Sequence, residues 1–318
     1  MRINKATVKN ILVVRNDRFG EFLLNIPAFR ALKETFTNAR ITAAVNPGVK
    51  QLAECISCLD EIIELPQTKR SLRQIFSLAS ELKSKNFDIA VILNPSKDLH
   101  IATFIAGIPV RIGYGRKCGF LLTRRIKDQK HLALKHEVEY NLELVDLIGA
   151  RTVNQELEIN LSQGARPEKD NDLIVVHPWT SDPVKQWPLN NFIDLIKRLT
   201  GLGLKIIVVG GKEEESRSKE ISDNLNNAVT NLTGKTTLKE LALLLKTARL
   251  VISGDSGPVH LACCVKTPVV AIFRNDLPGK TATRWGPWGK NNFVIEKSSL
   301  TDISVEDVLI KVKEALGK

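Results

Sequence analysis

The sequence predicts an α/β protein made of two doubly wound domains, each a parallel sheet flanked by helices. Three observations support this fold class. The chain has 318 residues, more than one domain usually contains. Short apolar runs rich in β-branched residues alternate with longer helical patterns, as in a parallel sheet with crossover helices. The second half repeats this alternation after a polar segment, Ser162–Asp172, which has the composition of a linker.

The first half supplies four strand candidates and three helix candidates, separated by their hydrophobic periodicity. The predicted strands are Asn10–Arg15, Arg40–Val45, Glu61–Leu65 and Asp88–Leu93. The predicted helices lie near Glu21–Phe36, Leu72–Lys85 and His136–Ile148. The first domain is therefore expected to span residues 1–162.

The second half continues the same alternation. Its predicted strands are Leu173–His177, Lys205–Val209, Leu250–Ser253 and Val269–Phe273. Its predicted helices lie near Asn190–Thr200, Glu213–Leu225, Leu238–Thr247, Val259–Cys264 and Ser304–Leu316. The second domain is expected to span residues 163–318, with its last helix packing back on the first domain.

Two doubly wound domains joined by a linker imply a cleft, with ligands at the carboxyl ends of the strands. The loops that directly follow strands are thus the candidate binding segments. They are Asn16–Gly20, Pro178–Pro188, Gly210–Glu215 and Gly254–Pro258.

The composition excludes several classes of protein. An apolar content of 43% and a charged content of 25% are ordinary for a soluble globular protein. No apolar run approaches the roughly 20 residues that span a bilayer, and the N-terminus lacks a signal-peptide core, so we expect a cytoplasmic protein. The five cysteines are odd in number and lack a paired metal spacing, which predicts reduced thiols. The single Cys55–Cys58 CxxC is interpreted as structural.

The net charge of +11 is concentrated in one segment. Between Arg111 and Lys135 there are eight basic residues against one acid, Asp128. This segment predicts an anionic partner, although a merely solvated run of charge is the alternative. Nucleic acid is not expected as that partner, because the segment has little aromatic interleaving and no known motif.

The stretch GDSGPVHLA, residues 254–262, resembles a serine nucleophile turn, but its context contradicts that interpretation. A nucleophile elbow needs glycine where Pro258 stands, and a chymotrypsin-like enzyme would be all-β. Ser256 is instead expected to cap a helix with Pro258 at its first position, so that unpaired N–H groups face a phosphate. Asp255 would then accept hydrogen bonds from sugar hydroxyls. His260 would flank the loop mouth, with a core or capping histidine as the alternative.

The loop after the first strand of the second half reads HPWTSDPVKQWP. The hydroxyls of Thr180 and Ser181 and the ammonium group of Lys185 could neutralise a diphosphate there. The acids of the next loop, Gly210–Glu215, could hold a ribose diol. Neither Gly234-Lys235-Thr236 nor Gly279-Lys280-Thr281 is a P-loop, because the required earlier glycine is absent.

In the first half, Arg15-Asn-Asp-Arg-Phe-Gly-Glu21 leaves a strand through a tight turn at Gly20. Glu21 opens the following helix and is expected to face the cleft. The alternative role for this carboxylate is a favourable interaction with the helix dipole.

Seven segments, matched in order over nearly the whole chain, resemble glycosyltransferase family 9, the lipopolysaccharide heptosyltransferases. They are ILVVRNDRFGEFLLNIPAFRALKETFTNARIT, GIPVRIGYGRKCGFLLTRRI, HEVEYNLELVDLIGA, VHPWTSDPVKQWPLNNF, VVGGKEEES, NLTGKTTLKEL and VISGDSGPVHLACCVKTPVVAIF. The resemblance implies the GT-B architecture, two Rossmann-like domains facing a cleft. It also implies that the C-terminal domain binds a nucleotide sugar and the N-terminal domain an acceptor.

Site roles follow from the resemblance position by position. On the donor side, Thr180, Ser181 and Lys185 match the diphosphate contacts, Ser256 and Gly257 the loop beneath, Asp255 the sugar contact and His260 a supporting residue. An acid of the Gly-Gly loop matches the ribose contact, with Glu215 favoured over Glu214. Glu21 matches the general base, where the family usually has aspartate. The cations expected to contact the acceptor are Arg15, Arg18, Arg116, Lys117 and Arg124.

The implied chemistry is inverting transfer from a nucleotide sugar, usually ADP-heptose, to a hydroxyl of the lipopolysaccharide inner core. Glu21 would take the acceptor proton, and Lys185 with the loop N–H groups would stabilise the departing diphosphate. No cofactor or metal is expected, since no Asp-x-Asp follows a strand. The implied acceptor is an anionic lipid-linked glycan, with peripheral contact to the inner face of the cytoplasmic membrane. The alternatives are another nucleotide sugar or glycan acceptor, or a GT-B-fold binding protein without turnover.

Overall fold

The computed structural model describes residues 3–66, 68–161, 168–225 and 228–317. The chain divides into two compact units. The first contains the residues up to His131 together with Glu137–Glu156. The second contains Leu132–His136 and the chain from Leu157 onward.

The first unit is built on a six-stranded parallel sheet with the order β3-β2-β1-β4-β5-β6. All of its strand pairs are parallel, so every connection crosses over through the helical layers. The strands are β1 Asn10–Arg15, β2 Arg40–Val45, β3 Glu61–Glu64, β4 Ile89–Ile92, β5 Val110–Tyr114 and β6 Arg124–Ile126.

The described residues of this unit form the helices α1 Phe19–Leu23, α2 Ile26–Thr35, α3 Lys50–Ala53, α4 Leu72–Ser84, α5 Lys97–Ile105 and, after the last strand, α6 Glu137–Asp146. Helices α4 and α5 pack side by side on one face of the sheet, where their apolar residues share one core with those of β1 and β4. Helix α4 begins with a capping box, in which Ser71 and Gln74 satisfy each other's backbone N–H groups.

The second unit repeats the topology. Its six-stranded parallel sheet has the order β12-β11-β10-β7-β8-β9. The strands are β7 Asp170–His177, β8 Lys205–Val208, β9 Thr230–Asn231, β10 Ala248–Gly254, β11 Val269–Arg274 and β12 Phe293–Lys297. In chain order both sheets therefore have the doubly wound arrangement 3-2-1-4-5-6.

The helices of the second unit are α7 Leu189–Gly201, α8 Glu215–Asn224, α9 Leu238–Thr247, α10 Gly257–Cys264, α11 Ala282–Trp285 and α12 Val305–Leu316. Apolar residues of α7, α8 and α12 form one core with the sheet. The last helix, α12, packs against α7 and against β10, β11 and β12 of its own unit. Helices α9 and α10 pack together against β10.

The predicted fold class is confirmed, and all eight predicted strands are present to within a few residues at their ends. The sequence analysis missed β5, β6, β9 and β12. Three of these lie at sheet edges, where strands are short and polar, as the three residues of β6 illustrate. The same analysis also missed the helices α3, α5 and α11.

Two predicted elements need correction. The helix expected at residues 21–36 is divided into α1 and α2, because Pro27 has no N–H to continue a helix and suits the first turn of a new one. The expected linker, Ser162–Asp172, is shorter than predicted, since Asp170–Asp172 already belong to β7. Residues 162–167 of that segment lie outside the described residues.

Candidate functional site

In the second unit, the strand order reverses between β7 and β10, which are neighbours in the sheet. In doubly wound sheets, the ligand crevice lies at the carboxyl ends of the strands that flank such a reversal. The loops found there are residues 178–188 after β7 and residues 255–256 after β10. Both are segments that the sequence analysis had selected, so the fold brings the predicted donor residues to one edge of one sheet.

An ion pair joins the two loops. The ammonium group of Lys185 lies against Oδ2 of Asp255, and both side chains are mostly buried, with 17% and 11% exposure. Burial raises the pKa of the Asp255 carboxyl, and the positive charge of Lys185 acts in the opposite direction. The positive charge of Lys185 at the switch point is therefore compensated by Asp255. An incoming anion would compete with the Asp255 carboxylate for the ammonium group.

Ser256 makes different contacts from those predicted. It stands at the N-cap position of α10, but its side chain makes no capping hydrogen bond. Its Oγ lies instead 3.1 Å from Nδ1 of His177 and 2.8 Å from Oγ of Ser253. Gly257 is therefore the first residue of α10 and Pro258 the second, one position later than expected. The first N–H groups of α10 therefore have no side-chain cap from Ser256.

His177, the last residue of β7, is buried. Nδ1 lies 3.3 Å from Ser253 Oγ as well as within reach of Ser256. Burial lowers the pKa of the imidazole to about 4, so the ring is neutral at pH 7. The contacts of Nδ1 with the two serine hydroxyls connect the ends of the strands that carry both loops. Sequence analysis did not select His177 or Ser253, although each ends a predicted strand.

The two predicted hydroxyl residues of the β7 loop have distinct environments. Thr180 Oγ1 donates to the Asp182 carbonyl at 2.9 Å, and its methyl group packs close to Gly254. A Cβ at Gly254 would lie only 3.3 Å from that methyl group, so the glycine permits the close approach of the two loops. Ser181 is exposed.

Two tryptophans anchor the β7 loop, and both were missed as structural anchors. Trp187 is 1% exposed and donates from Nε1 to the Ile303 carbonyl at 2.9 Å. Trp179, also 1% exposed, lies under Gly210 of the following loop, with the Arg217 guanidinium 5.1 Å from its ring centroid. The sequence signal for these anchors was the pair of tryptophans eight residues apart in HPWTSDPVKQWP.

The Gly-Gly loop presents its acids at the start of α8. Glu214 is half-buried, and burial, followed by the charge of Glu213, raises the pKa of its carboxyl. Glu215 is exposed and is the first residue of α8, with its carboxylate beside Gly234. His260 lies one turn into α10 and is 4% exposed.

In the first unit, Glu21 lies in the short helix α1, directly after β1. Burial is the largest cause of its raised pKa, and the negative charge of Asp17 adds to the effect. A carboxylate with a raised pKa is a better proton acceptor than an exposed one.

Arg15 and Arg18, both predicted to contact an acceptor, differ in their surroundings. Arg15 is 4% exposed, donates to Asp17 at 2.8 Å and lies 3.2 Å from Glu137. Arg18 is exposed and precedes α1. The charge of Arg15 is thus already compensated by carboxylates.

A buried polar cluster under this loop was not predicted. Glu137, 1% exposed, accepts from Lys130 at 2.5 Å in addition to Arg15. Lys130 also donates to Asn141 at 3.3 Å and stands 4.4 Å from the Tyr114 ring centroid. The aromatic rings and the carboxylate together compensate a buried ammonium group.

Much of the basic segment has a structural role. Arg124 donates to the Leu147 carbonyl and Arg125 to the Gly119 carbonyl, so these cations hold backbone oxygens. Arg116 pairs with Asp128 at 2.8 Å. Lys117 is exposed. Of these contacts, only the pairing with Asp128 neutralises a charge, and Lys130 is neutralised separately by Glu137.

The described residues contain neither a cluster of metal ligands nor a membrane-spanning helix. Within residues 3–66, 68–161, 168–225 and 228–317, no group of three His, Cys, Asp or Glu side chains could hold a metal ion. No helix in the described part of the chain is long and apolar enough to cross a membrane.

Comparison with known proteins identifies the family of this chain. The model of glycosyltransferase family 9 (heptosyltransferase) matches residues 75–308, which is more than half of the chain. The chain belongs to glycosyltransferase family 9. The predicted family and its class of enzyme, glycosyl transfer, are confirmed.

Curated relatives of this family member include lipopolysaccharide heptosyltransferase 2 of Escherichia coli, 24% identical over 85% of this chain and 84% of the relative. Another is a putative glycosyltransferase of Haemophilus influenzae, 24% identical over 88% of this chain and 86% of the relative.

Solved structures confirm the fold of this glycosyltransferase. A family 9 glycosyl transferase from Veillonella parvula has a TM-score of 0.84 at 21% identity and covers 99% of this chain and 98% of its own. The E. coli ADP-heptose lps heptosyltransferase II has a TM-score of 0.82 at 22% identity over 96% and 98%. The E. coli heptosyltransferase solved with ADP gives 0.79 at 19% identity, over 96% and 99%.

Proposed function

We propose that this family 9 glycosyltransferase moves heptose from ADP-heptose to a hydroxyl of the lipopolysaccharide inner core. The observation that carries the proposal is the Lys185–Asp255 pair at the switch point of the second sheet, next to the start of α10. Lipopolysaccharide heptosyltransferases among the relatives, and a related structure with ADP, support this choice of donor and acceptor.

In the proposed donor site, the diphosphate meets Lys185 and the uncapped N–H groups of α10, with Ser256 and Gly257 forming the loop beneath it. Thr180 and Ser181 contribute hydroxyls from the β7 loop. Asp255, released from Lys185 by the diphosphate, accepts from the sugar hydroxyls, and His260 supports that side.

The ribose diol is assigned to the acids of the Gly-Gly loop. Glu215 is favoured because its carboxylate stands exposed at the first turn of α8, whereas Glu214 is half-buried with a raised pKa. An ionised, accessible carboxylate accepts two hydroxyl hydrogen bonds more readily than a partly desolvated one.

The reaction proceeds with inversion. The acceptor oxygen forms a bond to the anomeric carbon while the bond from that carbon to the diphosphate oxygen breaks. Glu21 takes the acceptor hydroxyl proton, and the electron pair of the broken bond leaves with ADP. Lys185 and the α10 N–H groups stabilise the charge that develops on the leaving diphosphate.

The acceptor is assigned to the first unit as an anionic, lipid-linked glycan. Arg18 and Lys117 are exposed and suited to its phosphate or carboxylate groups, and Arg116 and Arg124 lie in the same basic segment. Arg15 acts through its pairing with Asp17, beside the base.

The donor assignment is tested by thermal denaturation with ADP, UDP and GDP, because a ligand that binds the folded state raises the melting temperature according to its affinity. We expect ADP to stabilise most. Transfer from ADP-heptose to a purified inner-core acceptor then tests the reaction. Equal or absent responses to all three nucleotides would contradict the proposed donor.

A further inference from the structure

We propose that one face of the first unit docks on an anionic lipid bilayer. This surface, called the α4–α5 face, consists of the outer sides of α4 and α5 and the turn Gly119–Leu121. It extends the proposed function, since a lipid-linked acceptor lies in a membrane, but it is argued from its own residues.

The α4–α5 face exposes large apolar side chains. On α4, Leu72 is 72% exposed and Phe76 is 58% exposed, one helical turn apart. Phe104 of α5 is 50% exposed, and Phe120 of the turn is 73% exposed. The inward sides of both helices are already satisfied, since Ile75, Leu78, Leu99 and Ala102 among others fill the core. The outer apolar residues therefore have no role in that core.

These side chains lie on adjacent elements. Helices α4 and α5 pack against each other, and the backbone N–H of Arg70 donates to Asp98 of α5 at 3.0 Å, which fixes the start of α4 beside α5. The turn packs on α5, where His100 Nδ1 lies 2.8 Å from the Lys117 carbonyl. Several exposed large apolar side chains on elements that pack against one another indicate an interaction site more strongly than scattered single residues do.

Cations surround the apolar residues. Five exposed lysine and arginine side chains lie on or beside the two helices and the turn, and none of them forms an ion pair with a described residue. They are Lys69, Arg73, Lys83, Lys97 and Lys117. Of the nearby acids, Asp98 is occupied by the Arg70 N–H, and Glu81 is exposed on α4. The backbone N–H leaves the charge of Asp98 in place, so five cations lie near two acids and the net charge of the face is positive.

The apolar and cationic side chains together indicate which kind of partner the α4–α5 face binds. Exposed phenylalanine and leucine interspersed with lysine and arginine is the pattern by which helices bind the boundary between headgroups and acyl chains of anionic membranes. A second copy of this chain is disfavoured, because a net charge of +11 and a cationic face would oppose self-association. An acidic protein would match the charge but would need its own apolar surface.

The test is co-sedimentation of the full chain with vesicles. One set contains only phosphatidylcholine, and the other contains roughly one third phosphatidylglycerol, an anionic lipid. We expect binding to the anionic vesicles alone, weakening as sodium chloride is raised. Equal binding to both sets, or binding to neither, would overturn the proposal.

Two variants examine the face directly. Lys69→Gln, Arg73→Gln and Lys117→Gln combined remove three cations, and we expect the partition coefficient to fall about five-fold for each one. Phe76→Ser with Phe120→Ser removes the apolar contribution, and we expect a fall of roughly ten-fold. All five side chains are exposed, so folding should not depend on them.

Matched controls lie in the second unit. Lys197→Gln, Lys219→Gln and Lys313→Gln remove three exposed cations there, and Leu202→Ser with Ile310→Ser removes two exposed apolar residues. Controls that lose as much vesicle binding as the face variants would show that net charge or general hydrophobicity is responsible, and would overturn the assignment to this face.

The rise in melting temperature caused by ADP distinguishes failure of the docking proposal from failure of the proposed function. Face variants that lose vesicle binding but keep the ADP response support the docking surface whatever the sugar transferred. Loss of the ADP response in the wild type, with vesicle binding intact, would count against the proposed function and leave the docking surface standing.

Discussion

Nδ1 of His177 lies 3.1 Å from Oγ of Ser256, across the loops that leave two neighbouring strands. This contact changes the interpretation of the stretch GDSGPVHLA. The side chain of Ser256 makes no capping hydrogen bond, and its histidine partner is a weak base, because burial lowers the pKa of that imidazole to about 4. The pair instead ties the β7 loop to the β10 loop, next to the proposed diphosphate site.

The buried imidazole predicts a pH dependence of stability. The pKa of His177 is lowered from 6.5 to about 4 in the folded chain, so between these values the unfolded chain binds a proton that the folded chain does not. Stability is therefore lost as pH falls below 6.5. Relative to His177→Asn, the wild type should lose about 2 kcal/mol between pH 7 and pH 5.

Urea denaturation of both proteins at the two pH values measures this difference. Other titrating groups cancel in the comparison, since they are common to both chains. A gap between the two free energies of unfolding that stays constant with pH would show that His177 does not resist protonation.

Removing the proposed base should separate chemistry from donor binding. Glu21→Gln is expected to abolish transfer while ADP affinity, measured by calorimetry, stays within about two-fold, because an acceptor-side group contributes nothing to the donor complex. Glu21→Asp, which installs the family's usual residue, should keep measurable turnover. Substantial turnover in the glutamine variant would remove Glu21 from the role of base.

The environment of Glu21 also predicts how kcat/KM falls at low pH, on the acid limb of its pH profile. Its pKa is raised above 4.5, first by burial and then by Asp17, so activity should fall as pH decreases through that raised value. Asp17→Asn removes one negative neighbour, and we expect the limb to move to lower pH. An unchanged or higher limb, measured from kcat/KM against pH, would contradict this coupling.

Lys185 and Asp255 should have opposite effects on donor affinity. Lys185→Ala is expected to weaken ADP binding by about ten-fold or more, the usual loss for a charge-assisted hydrogen bond. Asp255→Asn removes the carboxylate that competes for the ammonium group, so ADP affinity should be kept or increased.

Calorimetric titration of both variants measures these affinities, and thermal denaturation without ligand checks that each is folded. Lys185→Ala leaves a buried carboxylate uncompensated, so the double variant with Asp255→Asn is the better-folded reference. Unchanged ADP affinity in that double variant would place the diphosphate elsewhere.

Packing around Gly210 gives a prediction about stability. A Cβ at this position would lie 2.5 Å from the Trp179 ring and 2.9 Å from the Thr233 methyl group, so Gly210→Ala forces these residues apart. We expect a loss of about 1–3 kcal/mol in the free energy of unfolding.

Gly201→Ala is the matched control for this packing. No atom lies within 4 Å of the Cβ it would add, and Gly201 ends helix α7. Alanine there should be neutral or stabilising. Urea denaturation of both variants compares them, and equal effects would mean that the Trp179 contact is not tight in solution.

The sequence alone was sufficient to predict the fold class and the positions of eight of the twelve strands found in the described residues. Apolar runs such as Leu250–Ser253 are long and regular enough to be recognised without tertiary information. It also selected the loops after β7 and β10, because ligand loops follow strands in any doubly wound sheet. Glu21, Lys185, Asp255 and Ser256 were all named from these positions.

The tertiary structure was needed to show which of these side chains contact one another. The pairing of Lys185 with Asp255 and of Ser256 with His177 depends on β7 and β10 being neighbours, which joins residues seventy or more positions apart. Periodicity carries no information about such pairing. The same is true of charge: Arg15 and Lys130 count as cations in the sequence, but the carboxylates of Asp17 and Glu137 compensate them.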